Sequence, residues 1–229
     1  VYPPTDTYAS PHRDPLLPCP RADDFSGPGG NSDDAPAPPG LARASPFALG
    51  LARALGAEDD QRGPELAVLD ADVEHVRKLL PQGRPVVALA PGAAFGPSKC
   101  WPAERFAAVA DALADKHGAA CQLLCGPGEE ATRAAVLAAA KRPLLDAQGD
   151  TPTLGKLKAA ISASNLLVGN DSGPRHIAIA LGKPVICLMG PTSPRYTAGP
   201  YEKGAVLRVE VDCGPCQKPT CATDHRCMT

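Results

Sequence analysis

From residue 84 onward the chain alternates short apolar runs with longer segments of helical periodicity, and this alternation restricts the fold more than any other feature. PVVALA (85–90), CQLLC (121–125), LLVGN (166–170) and PVICLMG (184–190) each have the length and apolar character of a strand buried on both faces. LLDAQG (144–149) reads as a short strand and turn, and AVLRVEV (205–211) as a last strand. Helices are predicted between them. Pro102 opens one that runs to His117, with Phe106, Val109, Ala110 and Leu113 on one face and Gly118 as its stop. Others are predicted over 129–141, from a Thr151 or Thr153 cap to Ser162, and over SGPRHIAIALG (172–182). Upstream, Asp70 or Asp72 is expected to cap a helix ending at Leu80. Strands and helices alternating at this spacing predict an α/β fold, a parallel sheet covered on both faces with right-handed crossovers.

Residues 1–46 behave differently. They hold 11 of the 27 prolines and show neither strand nor helix periodicity, so a poorly ordered linker is expected there. A short helix is predicted at 46–55, with Ser45 as its cap. The chain thus divides at about residue 64, with the regular α/β domain over 65–229. The formal net charge of −2 gives no global basic field, and aromatics at 4%, with Trp101 the sole tryptophan, give no stacking platform. Nucleic acid is therefore not an expected partner. No apolar run approaches the roughly 20 residues that span a bilayer, and VYPPTDTY lacks the features of a signal peptide. A reducing cytoplasm is the expected setting.

Ligands of such sheets gather beyond the carboxyl ends of the strands. Four polar or Gly-rich loops follow strands here, at 91–101, 126–130, 169–176 and 190–200, and are expected to converge on one edge. In GNDSGPRH (169–176), Ser172 and Gly173 stand where a helix N-terminus presents free amides to an anion, and His176 lies one turn in. Asp171 or Ser172 would serve equally as a plain helix cap. Lys99 in GPSKCWP (96–102) offers a mobile positive charge for a diphosphate, or is an ordinary solvated lysine. Glu129 and Glu130 in GPGEE (126–130) suit either ribose hydroxyls or the helix dipole. GPTSPRYTAGP (190–200) is a ligand lid or a surface loop. No GxGxxG, HExxH or Walker A pattern occurs.

Cys121, Cys125 and Cys187 lie in apolar runs and read as small core residues. Cys213, Cys216, Cys221 and Cys227 crowd the last residues with His225. They are candidate ligands of a structural zinc, or plain thiols. Pro219, three residues after Cys216, disfavours the helix that thiol exchange at CGPC would need.

The ordered series PGAAFGPSKCWPAERFA, CGPGEE and VGNDSGPRHIAIALGKPVICLMGPTSP resembles glycosyltransferase family 9 over about residues 85–229, with a weaker echo at 47–80. The resemblance implies the Rossmann-like, nucleotide-sugar-binding half of a GT-B glycosyltransferase. It implies an inverting, metal-independent transfer of heptose from ADP-heptose to the lipopolysaccharide inner core, with a lipid A–core acceptor at the membrane surface. By resemblance, Lys99 contacts the diphosphate, Glu129 or Glu130 the ribose, and Asp171, Ser172, Gly173 and His176 line the donor. No cofactor is implied, and the setting is cytoplasmic, peripheral to the inner membrane. The family's general base is an Asp near the start of the amino-terminal domain. No strand-Asp-Gly-Asp segment stands in residues 1–60, so a donor-binding half that catalyses poorly is expected. The alternatives are a sugar-nucleotide epimerase of related fold and a non-catalytic, zinc-stabilised binding module.

Overall fold

Each apolar run becomes a strand of one parallel sheet. The computed structural model describes residues 53–58, 63–149, 152–197 and 202–229. In chain order these residues form α1 (Asp70–Leu79), β1 (Val86–Ala90), α2 (Ala103–His117), β2 (Ala120–Leu123), α3 (Glu130–Ala139) and β3 (Leu144–Leu145). There follow α4 (Leu154–Ser162), β4 (Leu166–Asn170), α5 (Gly173–Ala180), β5 (Val185–Leu188), α6 (Pro194–Thr197) and β6 (Gly204–Leu207). Short 3-10 turns stand at Pro97–Lys99 and Arg226–Met228.

The strand order is β3-β2-β1-β4-β5-β6, with every pair parallel. Val87 of β1 pairs with Cys121 on one side and Leu166 on the other. Because side chains alternate along a strand, β1 feeds two cores. Val86, Ala88 and Ala90 meet Val76 of α1, Ala160 of α4 and Ala178 of α5 on one face. Val87 and Leu89 meet Phe106 and Ala110 of α2 and Val136 of α3 on the other. Both faces of β1 are thus dry, which is why its sequence is continuously apolar instead of alternating. Gln122 of β2 is the polar exception. It is fully buried, and its amide donates to the Ala160 carbonyl and to Ser164 Oγ, tying β2 to the end of α4.

Local stop and start signals explain most boundaries. Gly118 adopts φ 60° and closes α2, its N–H returning to the Ala114 and Leu113 carbonyls. Thr153 caps α4 by accepting from the Lys156 amide at 3.2 Å, and Thr151 lies outside the described residues. One expected cap is corrected: Leu69 precedes α1 without a side-chain cap, and Asp70 and Asp72 sit in the first turn, where their charge favours the helix dipole. The helix expected at 46–55 lies outside the described residues except for its end, where residues 53–54 are helical. The expected linker, residues 1–46, lies outside them entirely.

Phe106 is fully buried and meets Trp101 edge-on, with ring centroids 5.2 Å apart. Truncating it removes the largest apolar anchor of α2. Phe106→Ala is expected to lose about 3–5 kcal/mol of stability in urea unfolding; a loss below about 1 kcal/mol would show that α2 is not held through this ring.

Candidate functional site

The sheet winds outward from β1 to β3, then crosses back so that β4 lies on the other side of β1. The winding therefore reverses between β1 and β4, and the carboxyl edge at such a switch point is the position where open α/β sheets hold ligands. Asn170, the last residue of β4, ties the loops after β1 and β4 together. Its Nδ2 donates to the Pro91 carbonyl at 2.6 Å, and its Oδ1 accepts from the Trp101 amide at 3.2 Å. The two loops bring Lys99 and Asp171 into contact. Lys99 Nζ donates to Asp171 Oδ2 at 2.7 Å and to the Asp171 carbonyl at 3.0 Å, and it lies 5.0 Å from the centre of the Phe95 ring.

Asp171 is the hub of this site. Besides Lys99, its Oδ2 accepts from Thr192 Oγ1 of the loop after β5, and its Oδ1 from Arg175, each at 2.8 Å. Burial pushes its pKa up, but the Lys99 and Thr192 hydrogen bonds, the Lys99 charge and the Arg175 bond outweigh this and hold it below the usual carboxylate range. Arg175 is fully buried, and its other nitrogens grip both oxygens of Glu202 at 2.7–2.8 Å. The i,i+4 spacing of Asp171 and Arg175 is a signal that sequence reading could have used; nothing in the sequence marks Glu202.

Ser172 is the N-cap of α5 in extended conformation, and its hydroxyl makes no capping bond. Position Gly173 has open space where a Cβ would stand. The backbone amides at 172–173 thus stand at a helix start beside open space, where free N–H groups attract an anion. His176 is among the exposed residues. Partial desolvation, and then the Arg175 charge, lower its pKa from the ordinary value, which favours the neutral ring.

The two glutamates part company. Glu129 Oε2 accepts from the Gly126 amide at 2.8 Å, and its carboxylate lies where a Cβ on Gly92 would be, joining the β1 and β2 loops. Glu130 Oε1 accepts from the Gly128 amide at 3.0 Å, which lowers its pKa. It lines an open cavity of about 540 Å³ with Cys125, Gly126, Arg133, Asp146 and Gln148. A larger groove of about 770 Å³ lies at the opposite edge of the sheet. Its arginines are already engaged, Arg84 on the Gly118 and Ala119 carbonyls and Arg142 on Asp115. That leaves the carboxyl edge as the candidate site.

The cysteine tail is a correction. Cys213, Cys216, Cys221 and Cys227 line one cavity of about 130 Å³. Among the described residues, however, no three His, Cys, Asp or Glu side chains gather closely enough to hold a metal ion. His225 is engaged elsewhere, donating from Nε2 to the Ser98 carbonyl at 2.8 Å. The tail instead braces the site. Ser98 N–H and Oγ donate to the Pro219 and Lys218 carbonyls at 3.1 and 2.6 Å, and Gln217 N–H donates to the Pro191 carbonyl at 2.9 Å. It thereby holds the loops that carry Lys99 and Thr192. Gly96 adopts φ 147°, and a Cβ there would stand 2.4 Å from the Pro219 carbonyl oxygen. Burial pushes Cys187 to about 12 and Cys121 to about 11, so both act as core residues. In urea unfolding, His225→Ala is expected to cost about 1 kcal/mol and Gly96→Ala more, because a backbone collision follows. Wild-type stability in both variants would contradict the bracing role.

Comparison with known proteins places the fold in a family. Lipooligosaccharide heptosyltransferase 2 of Haemophilus ducreyi is 36% identical over 138 residues, covering 58% of this chain and 39% of that protein. Lipopolysaccharide heptosyltransferase 2 of Escherichia coli K12 is 32% identical over 152 residues, covering 64% and 43%. Among solved structures, the E. coli ADP-heptose lipopolysaccharide heptosyltransferase II superposes with a TM-score of 0.57 at 29% identity, covering 69% of this chain and 49% of that one. A family 9 glycosyltransferase of Veillonella parvula gives 0.65 at 28%, covering 77% and 52%. The chain thus spans about half or less of the length of these relatives. The family model of glycosyltransferase family 9 (heptosyltransferase) matches residues 44–226, and the chain belongs to that family.

Proposed function

We propose that this chain binds the donor in an inverting, metal-independent transfer of heptose from ADP-heptose to a lipid A–core acceptor. The observation that carries the reading is the meeting of Lys99, Asp171 and the α5 N-terminus in the switch-point crevice. Family membership supports the reaction class, and an E. coli relative of similar fold is described as an ADP-heptose transferase.

In this reading the diphosphate lies between Lys99 Nζ and the amides of Ser172 and Gly173. The nucleoside extends toward the cavity beside Glu130, whose volume of about 540 Å³ is in the range of small-molecule sites. An acceptor hydroxyl attacks C1 of the sugar from the face opposite the leaving group. The bond from C1 to the phosphate oxygen breaks, and ADP departs with the electron pair. The hydroxyl proton passes to a general base, which the family resemblance places in the amino-terminal domain. Charge grows on the leaving diphosphate, so fixed donors aimed at it lower the barrier. Neutral His176 is suited to donate one further hydrogen bond there. An epimerase would need a free acid and a free base around the sugar, whereas Asp171 is locked in ion pairs. No helix among the described residues is long and apolar enough to cross a membrane. The proposed setting is the cytoplasmic face of the inner membrane, where the acceptor is presented.

ADP is expected to raise the melting temperature of the wild-type protein. Lys99→Ala is expected to weaken ADP at least about tenfold, the worth of a charge-assisted hydrogen bond, while leaving adenosine unaffected. Equal ADP affinity in the two proteins would overturn the reading. His176 supplies a pH test. Because its pKa is lowered, it is neutral above its ordinary range, so the ratio of wild-type to His176→Asn affinity for ADP should be constant from about pH 7 to 8. That ratio should rise only in more acid solution, as the ring gains a proton that attracts the diphosphate. A step in the ratio centred near about pH 6.5 or above would show that the pKa is not lowered.

A further inference from the structure

Arg175 is too deeply buried to touch a ligand, yet it commits three nitrogens to the site. Nε and Nη2 hold Glu202, and Nη1 holds Asp171 Oδ1 at 2.8 Å and Thr197 Oγ1 at 2.9 Å. Two cations, Lys99 and Arg175, thus face two carboxylates, Asp171 and Glu202, in a closed balance of charge. Their mobility differs. The Arg175 side chain is 0% exposed and that of Asp171 3%, whereas Lys99 keeps 13%.

An entering diphosphate needs a cation, and Lys99 is the cation of this set with side-chain surface open to solvent. Turning it outward would strip Asp171 Oδ2 of its charge partner. A buried carboxylate without a cation is strongly unfavourable. Here Asp171 keeps two holds after Lys99 departs, Arg175 on Oδ1 and Thr192 on Oδ2. Arg175 in turn stays fixed because Glu202 grips it with both oxygens, a fork geometry that a lysine does not reproduce.

We propose that Arg175 is the positioning residue that releases Lys99. It holds Asp171 as a stable anion so that the Lys99 ammonium exchanges from Asp171 to the incoming diphosphate. This rests on the reading that the crevice takes a nucleoside diphosphate. Without Arg175, Lys99 becomes the sole cation on Asp171 and is retained there.

The test uses isothermal titration of the full chain with ADP and with adenosine. Arg175→Met alone leaves Glu202 buried and unpaired, so the working variant is the double substitution Arg175→Met with Glu202→Gln, which removes both charges together. Relative to wild type it is expected to bind ADP about tenfold more weakly and adenosine equally. Lys99→Ala should then cause little further loss in that background, although it weakens ADP in the wild-type protein. Retention of wild-type ADP affinity by the double variant overturns the proposal, as does a full additional Lys99→Ala effect. A measurement on wild type needs no variant. In nitrogen-detected NMR, ADP is expected to shift the Lys99 Nζ signal and leave the Arg175 Nε–H signal protected from exchange. An unmoved Lys99 signal, or loss of Arg175 protection on ADP binding, contradicts the exchange. If wild type binds no ADP at all, the donor-site reading itself fails. If it binds ADP through Lys99 but independently of Arg175, only the present inference fails.

Discussion

The contact between Lys99 and Asp171 holds the site together, because it joins loops that the chain order keeps 72 positions apart. It forms only because β1 and β4 are neighbours in the sheet, and they are neighbours only because the winding reverses there. The neighbouring groups keep Asp171 paired. Asn170 stitches the two loops from below, Thr192 adds a third loop, and the cysteine tail closes over the outside. A buried ion pair is poor evidence for stability in itself, since desolvation offsets much of the attraction. Its retention at the mouth of a crevice is more consistent with a binding role, where a poised cation has work to do.

The fold was largely legible because its physics is local. Short continuous apolar runs such as VVALA, set between helical segments, fit strands covered on both faces, and Gly118 and Thr153 carry their own stop and start signals. The convergence of four loops followed from the rule about carboxyl ends, and the contacts of Lys99, Glu129 and Thr192 agree with it. The α1 cap was misjudged because an acidic residue in the first turn and one at the cap position look alike in sequence, both being favoured by the same dipole.

The rest depended on long-range pairing. His225 and four cysteines have the composition of a metal site, but composition says nothing of direction. The histidine turns to the Ser98 carbonyl, and the thiols line a cavity without gathering as ligands. Arg175 sits inside GNDSGPRH, yet a charged residue in a helix is ordinarily taken as solvated. Only the structure shows it buried, with its partner Glu202 arriving from beyond α6. The function of Glu129 was blurred for a similar reason. Two adjacent carboxylates look equivalent in sequence, but the turn sends one toward Gly92 and leaves the other on the cavity rim.

The most direct measurement is a crystal structure of the protein grown with ADP. The account predicts the diphosphate in the switch-point crevice, with Lys99 Nζ and the Gly173 amide on its oxygens. The adenosine should lie beside Glu130, and Asp171 should still be paired with Arg175. ADP seated instead in the groove of Arg84 and Arg142, at the other edge of the sheet, would contradict it.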